Sequence, residues 1–126
     1  MDILKTRQYY EELTEEDLCN CAYCRNYQKE IKNAYPLLTE HLFDMGVDIT
    51  KLYESFPIEP EEDGTILYAD AQYLVMGNKD NFRETEVEGV HISLADSYPY
   101  SDIAEEHFII EISPIRLPWT IKDENG

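Results

Sequence analysis

The spacing of apolar residues changes once along this 126-residue chain, and that change sets what it can fold into. Before about residue 50 they recur every three or four positions. Cys24, Tyr27, Ile31, Ala34, Leu38, Leu42 and Met45 form one stripe on a helix over residues 20–45. Asn20 is the expected N-cap and Gly46 the expected stop. Pro36 lacks a backbone donor, so the helix is kinked or split there, with Pro36 opening a second helix. Upstream, residues 6–18 read as a short helix or a turn-rich arm. Thr14 and Asp17 are spaced as a capping box.

From residue 65 onward the period is two. Residues 65–76 are rich in β-branched and aromatic side chains, and residues 77–81 make a strong turn. Residues 82–88 form a weaker, charged strand, with Gly89 marking a turn or bulge. Val90, Ile92 and Leu94 alternate with polar residues, as do Phe108, Ile110 and Ile112. Ile115, Leu117, Trp119 and Ile121 alternate in a last strand, where Pro118 demands an edge. Residues 47–60 read as a connector with one helical turn at 50–55, and residues 123–126 as a fraying end. The expected class is α+β. Helices pack on one face of a four- to five-stranded antiparallel sheet, in one domain of residues 1–126 with a helical part (1–50) and a sheet part (65–122).

Charge narrows the partners. Asp and Glu number 27 against 10 Lys and Arg, a formal net charge of −17. The excess is spread, with 15 acidic and 6 basic side chains in residues 1–63 and 12 and 4 in residues 64–126. Phosphate contacts need clustered Lys and Arg, so nucleic acid and anionic membrane surfaces are disfavoured. A basic protein or a cation is favoured. No apolar run approaches the roughly 20 residues of a membrane helix. The first residues lack the pattern of a signal peptide, so the expected location is the cytoplasm.

All three cysteines fall in six residues, Cys19, Cys21 and Cys24. Simple packing of small apolar side chains is the preferred reading. The alternative is a zinc site, since thiolates at this spacing can converge on one Zn²⁺, although a structural zinc wants a fourth ligand. Asp17, His41, His91 and His107 are the candidates for it. A redox C-x-x-C over Cys21 and Cys24 is the third reading, and it lacks the preceding strand such motifs use.

No nucleophile–base set, phosphate loop or calcium loop is present, so no enzyme is expected and no cofactor beyond the alternative zinc. Glu84, Glu86 and Glu88 alternate on the charged strand and offer an acidic ladder to a basic partner. Tyr98 and Tyr100 flank Pro99 in a polar loop and have an interface composition. These five residues define the expected docking surface of a small acidic interaction module, in the manner of immunity proteins or inhibitors.

The segments Cys19-x-Cys21-x-x-Cys24-Arg25-Asn26-Tyr27, Gly46-Val47-Asp48-Ile49 and Arg116-Leu117-Pro118-Trp119 resemble a group of small uncharacterised bacterial proteins. That resemblance implies a bacterial cytosolic origin. It transfers no activity, substrate or site.

Overall fold

The computed structural model describes residues 1–121. Three helices come first: α1 (Ile3–Glu12), α2 (Ala22–Ala34) and α3 (Pro36–Asp44). Six strands follow: β1 (Glu54–Pro57), β2 (Thr65–Met76), β3 (Thr85–Val87), β4 (Val90–Leu94), β5 (His107–Ser113) and β6 (Ile115–Pro118). The sheet is antiparallel, in the order β1-β2-β5-β4-β3, with β6 also paired to β2. The α+β class with helices packed against the sheet is what the two periods demanded. Among the described residues no helix is long and apolar enough to cross a membrane.

Several local expectations need correction. The 20–45 helix is split rather than kinked, because Pro36 takes the first position of α3 and Tyr35 sits between the helices outside the helical region. Cys21, not Asn20, is the N-cap of α2. Ala34 of the stripe is exposed. The described residues form six strands, because residues 54–57 form β1 in place of a helical turn. The charged strand shrinks to β3, and the last strand ends at Pro118. The expected fraying of residues 123–126, and the end of the sheet part at 122, lie outside the described residues.

Strand β2 organises the molecule. Along one side its first half pairs β6 and its second half pairs β5, and the two are joined through Pro114 with a cis Ser113–Pro114 bond. On the other side β1 pairs only around residues 68–72. Beyond that point α1 covers the open edge. The Tyr10 hydroxyl donates to Leu74 O at 2.8 Å, Met76 N donates to Thr6 Oγ1 at 2.9 Å, and Asp2 N donates to Met76 O at 2.8 Å. An unpaired edge thereby acquires donors and acceptors from a helix. Two glycines at positive φ admit α1. A Cβ on Gly46 would lie 2.6 Å from Ile3 O, and one on Gly77 2.7 Å from Asp2 N.

The helix-covered face holds the main core, including Tyr27, Ile31, Leu38 and Leu42 from the helices and Ile66, Tyr68, Tyr73, Val75, Ile92 and Ile110 from the sheet. Leu74, Met76 and Ile109 form a smaller cluster on the other face, under Tyr9, Tyr53 and Ile103. That second burial explains why residues 71–76 are buried without interruption.

Asn26 ties α2 to the last described residues. Its Nδ2 donates to Pro118 O at 2.9 Å, and its Oδ1 accepts from Thr120 N at 2.9 Å and Ile121 N at 3.2 Å. Tyr23 and Trp119 stack at 5.7 Å between centroids. Two of the three sequence segments singled out above are therefore neighbours in space.

Candidate metal centre

The thiol cluster is built by the start of α2. A short 3-10 turn at Glu15–Asp17 precedes it, in which the Asp17 carboxylate accepts from Thr14 N at 2.9 Å and from the Thr14 hydroxyl at 3.1 Å. The chain then runs extended through Leu18 and enters α2 at Cys21, whose carbonyl accepts from Arg25 N at 2.9 Å. One helical turn brings Cys24 under Cys21, and Cys19 folds back beside it. The Sγ atoms of Cys19 and Cys21 are 3.2 Å apart, and all three sulfurs lie within 4.8 Å of one another. No His, Asp or Glu ligand atom joins that group among the described residues, so none of the four candidate fourth ligands does.

Burial separates the three thiols. Cys24 is buried, whereas Cys19 and Cys21 are exposed, so one cysteine of three occupies the core position that simple packing requires. A cavity of about 210 Å³ opens beside them, also lined by Asp17, Gln28, Tyr53 and Glu54. Burial pushes the Cys21 thiol up, but the N–H groups of Cys24 and Tyr23 and the neighbouring thiols outweigh it and hold its pKa below the usual value. The dipole at the start of α2 acts in the same direction. Burial, then the two neighbouring thiols, pushes the Cys24 pKa well above the ordinary range. No strand leads into α2, so the surroundings of Cys21 and Cys24 differ from those of a βαβ redox motif.

The expected docking residues are dispersed. Glu84 precedes β3, Glu86 lies on it opposite His91, and Glu88 lies in the turn after it. Only Glu86 belongs to a strand, so the three carboxylates form no ladder. Glu88 and Gly89 both have positive φ, 53° and 77°, as a two-residue hairpin turn of type I′ requires. The Glu88 carboxylate accepts from Leu38 N at 2.8 Å and so caps α3, whose own N-cap Tyr35 supplies no side-chain bond. Tyr98 and Tyr100 are exposed, and the Tyr53 hydroxyl donates to the intervening Pro99 O. Tyr100 stands with Tyr9 and Tyr53, close to β1. Strands β1 and β3 are four spacings apart, about 19 Å.

One group of carboxylates escaped sequence reasoning. Cross-strand register places Glu54, Gln72, Glu111 and Ser93 in one row on the face away from the helices. Gln72 is buried, and its Nε2 donates to Ser97 O at 2.8 Å. Gln72 Oε1 and Asp70 Oδ1 are buried without a hydrogen-bond partner. Burial, then the Glu111 and Glu54 charges, pushes the Asp70 carboxyl up. The row spans four strands, and its carboxylates with Asp70 come from three of them, so no local spacing signals it.

A scan against protein-family models, a search of curated proteins and a search of solved structures each find no match to this chain. The functional reading therefore rests on the geometry itself.

Proposed function

We propose that this chain is a thiol-based metal-binding protein that holds one soft divalent ion, Zn²⁺ by preference, on Cys19, Cys21 and Cys24. The observation that carries the reading is the convergence of three sulfurs within 4.8 Å. Zn–S bonds of about 2.3 Å in a tetrahedral arrangement separate their sulfurs by about 3.8 Å. That separation falls between the 3.2 Å of the Cys19–Cys21 pair and the 4.8 Å limit of the group. Thiolates select soft ions over Mg²⁺ or Ca²⁺. The net charge of −17 favours a cation, and a coordinating thiol is deprotonated outright, which offsets the raised pKa of Cys24.

Three protein ligands leave a fourth position open, and the neighbouring cavity gives water or a small ligand access to it. Such a site suits binding, transfer or sensing better than a closed structural role, and it is assigned no catalytic activity. The reading belongs with a reducing compartment such as the cytoplasm, where thiols stay free.

Metal analysis of protein purified without chelator tests this. About one zinc per chain is expected, with Cys19→Ser and Cys24→Ser each losing more than the 10–100-fold in affinity typical of outer-shell changes. Less than about a tenth of an equivalent after incubation with zinc at neutral pH overturns it.

Docking of a basic protein partner is the second reading. The charge supports it, and Glu86, Tyr98 and Tyr100 remain exposed for it. Its test is a partner whose capture weakens steeply with salt and with charge reversal at Glu84 and Glu86. Capture indifferent to both removes the electrostatic version.

A further inference from the structure

A second cavity lies away from the thiols and shares no lining residue with theirs. It measures about 320 Å³ and opens between α1, α3 and the segment after Gly46. Tyr10, Phe43, Val47 and Ile49 give it apolar walls, and Arg7 and Lys32 stand on its lining. Small-ligand pockets begin at roughly this size and share this character, an apolar surface with a few polar groups that fix orientation.

Charge sets this cavity apart. Three of the chain's ten basic residues, Arg7, Lys32 and Lys51, line it against two acidic ones, Glu11 and Asp48. The molecule carries −17, and here the local balance is positive. Asp48 is turned into its own loop, where its Oδ1 accepts from Thr50 N at 3.0 Å and from the Thr50 hydroxyl at 2.6 Å. Lys51 is engaged with the end of α1, donating to Tyr10 O at 2.6 Å and Leu13 O at 3.2 Å. Two of its three N–H donors are thereby taken, so it adds chiefly positive charge to the wall.

Arg7 differs from both. Its guanidinium lies over the Phe43 ring at 5.2 Å, and one Nη donates to Phe43 O at 3.3 Å, so its plane is fixed. Its Nε is buried and has no hydrogen-bond partner. A buried donor on a charged group is costly to leave unmatched. With Nε enclosed by protein, the donors this oriented guanidinium can offer a carboxylate in the cavity are its remaining Nη hydrogens.

We infer that this cavity binds a small monocarboxylate with a short apolar tail. The carboxylate meets Arg7, Lys32 stands at the rim, and the tail lies against Tyr10, Phe43, Val47 and Ile49. A multiply charged anion is disfavoured because the field of the whole molecule repels it in proportion to its charge. A monoanion suffers least, and burial of its tail supplies the remaining affinity.

Titration of the full chain with octanoate, 1-octanol and inorganic phosphate, followed by amide chemical shifts, tests the inference. Octanoate is expected to bind saturably, with shifts centred on Arg7, Phe43 and Val47. 1-Octanol should bind at least about tenfold more weakly, and phosphate should not saturate. Arg7→Gln should weaken octanoate about tenfold or more and leave 1-octanol unchanged. Arg7→Lys, which keeps the charge and loses the planar fork, should fall between. Absence of saturable octanoate shifts, equal affinity for acid and alcohol, or shifts centred elsewhere overturns the inference. The acid–alcohol comparison uses the unaltered chain, so it decides even where Arg7→Gln does not fold.

Discussion

On the helix-covered face of the sheet, buried polar atoms close on one another. The Tyr27 and Tyr73 hydroxyls meet at 2.5 Å, Tyr73 donates to Ile49 O at 2.6 Å, and Tyr68 donates to Tyr23 O at 2.6 Å. On the opposite face Gln72 Oε1 and Asp70 Oδ1 are buried without partners, among Glu54 and Glu111. The tyrosines reach through an apolar core to backbone carbonyls, so burial and hydrogen bonding reinforce each other. The carboxylates are brought together by strand register alone, under a loop, and like charges accumulate. Stability is therefore concentrated on the first face, and a carboxylate on the second can be removed at a gain.

The largest expected break in that contrast is Tyr73→Phe. It leaves Ile49 O and the Tyr27 hydroxyl short of a partner and should cost about 1–3 kcal/mol in denaturant unfolding. Burial first, and Tyr27 next, hold the Tyr73 pKa well above its ordinary value, and Tyr10 and Tyr27 are raised chiefly by burial too. The folded chain thus keeps these protons where the unfolded chain would release them. The stability they contribute is present below a pH of about 10 and is lost as pH rises above it. In an alkaline titration, phenolate absorbance should rise in two phases, the second coinciding with loss of helical circular dichroism. A single smooth phase with the fold intact would place these hydroxyls in water.

Glu88→Ala should have a smaller effect. It removes the acceptor for Leu38 N at the start of α3, and helix caps are worth about 0.5–2 kcal/mol. Hydrogen exchange at Leu38 should accelerate while Glu86→Ala leaves it unchanged. Equal effects from the two would mean that Glu88 acts only through bulk charge. Among the carboxylates of this segment, Glu88 is the one with a structural partner in α3, and the pattern Glu84, Glu86, Glu88 gives no sign of it.

That blindness has a physical cause. The helix and strand periods are local, so the stripe Tyr27, Ile31, Leu38, Leu42 and the alternation of Val90 and Ile92 are legible without a fold. Strand β1 is not, because Glu54–Pro57 carries little pattern of its own and becomes a strand by pairing with β2. The spacing of Cys19, Cys21 and Cys24 announces a cluster, since one helical turn joins Cys21 to Cys24 and Cys19 lies only two residues upstream. Which of them is buried depends on how α2 seats on the sheet. Glu54, Asp70 and Glu111 meet only once three strands are in register, and Asn26 meets Pro118 across 92 residues. Contacts of that kind have no signature along the chain.

The smallest expected effect carries the opposite sign. Asp70 is pushed up by burial and by Glu111 and Glu54, so the folded chain binds its proton more tightly than the unfolded chain does. Between the ordinary carboxylate pKa and the raised one, stability falls as pH rises, and above that window the full penalty persists. Asp70→Asn removes the ionisation and keeps the shape. Its melting temperature should exceed that of the parent chain at neutral pH, and the two should converge as pH falls toward the ordinary carboxylate pKa. Glu111→Gln should give part of the same gain by relieving the same repulsion. A lower melting temperature for Asp70→Asn at neutral pH would mean that the Asp70 charge is compensated on this face. The contrast between the two sides of the sheet would then be one of hydrogen bonding alone.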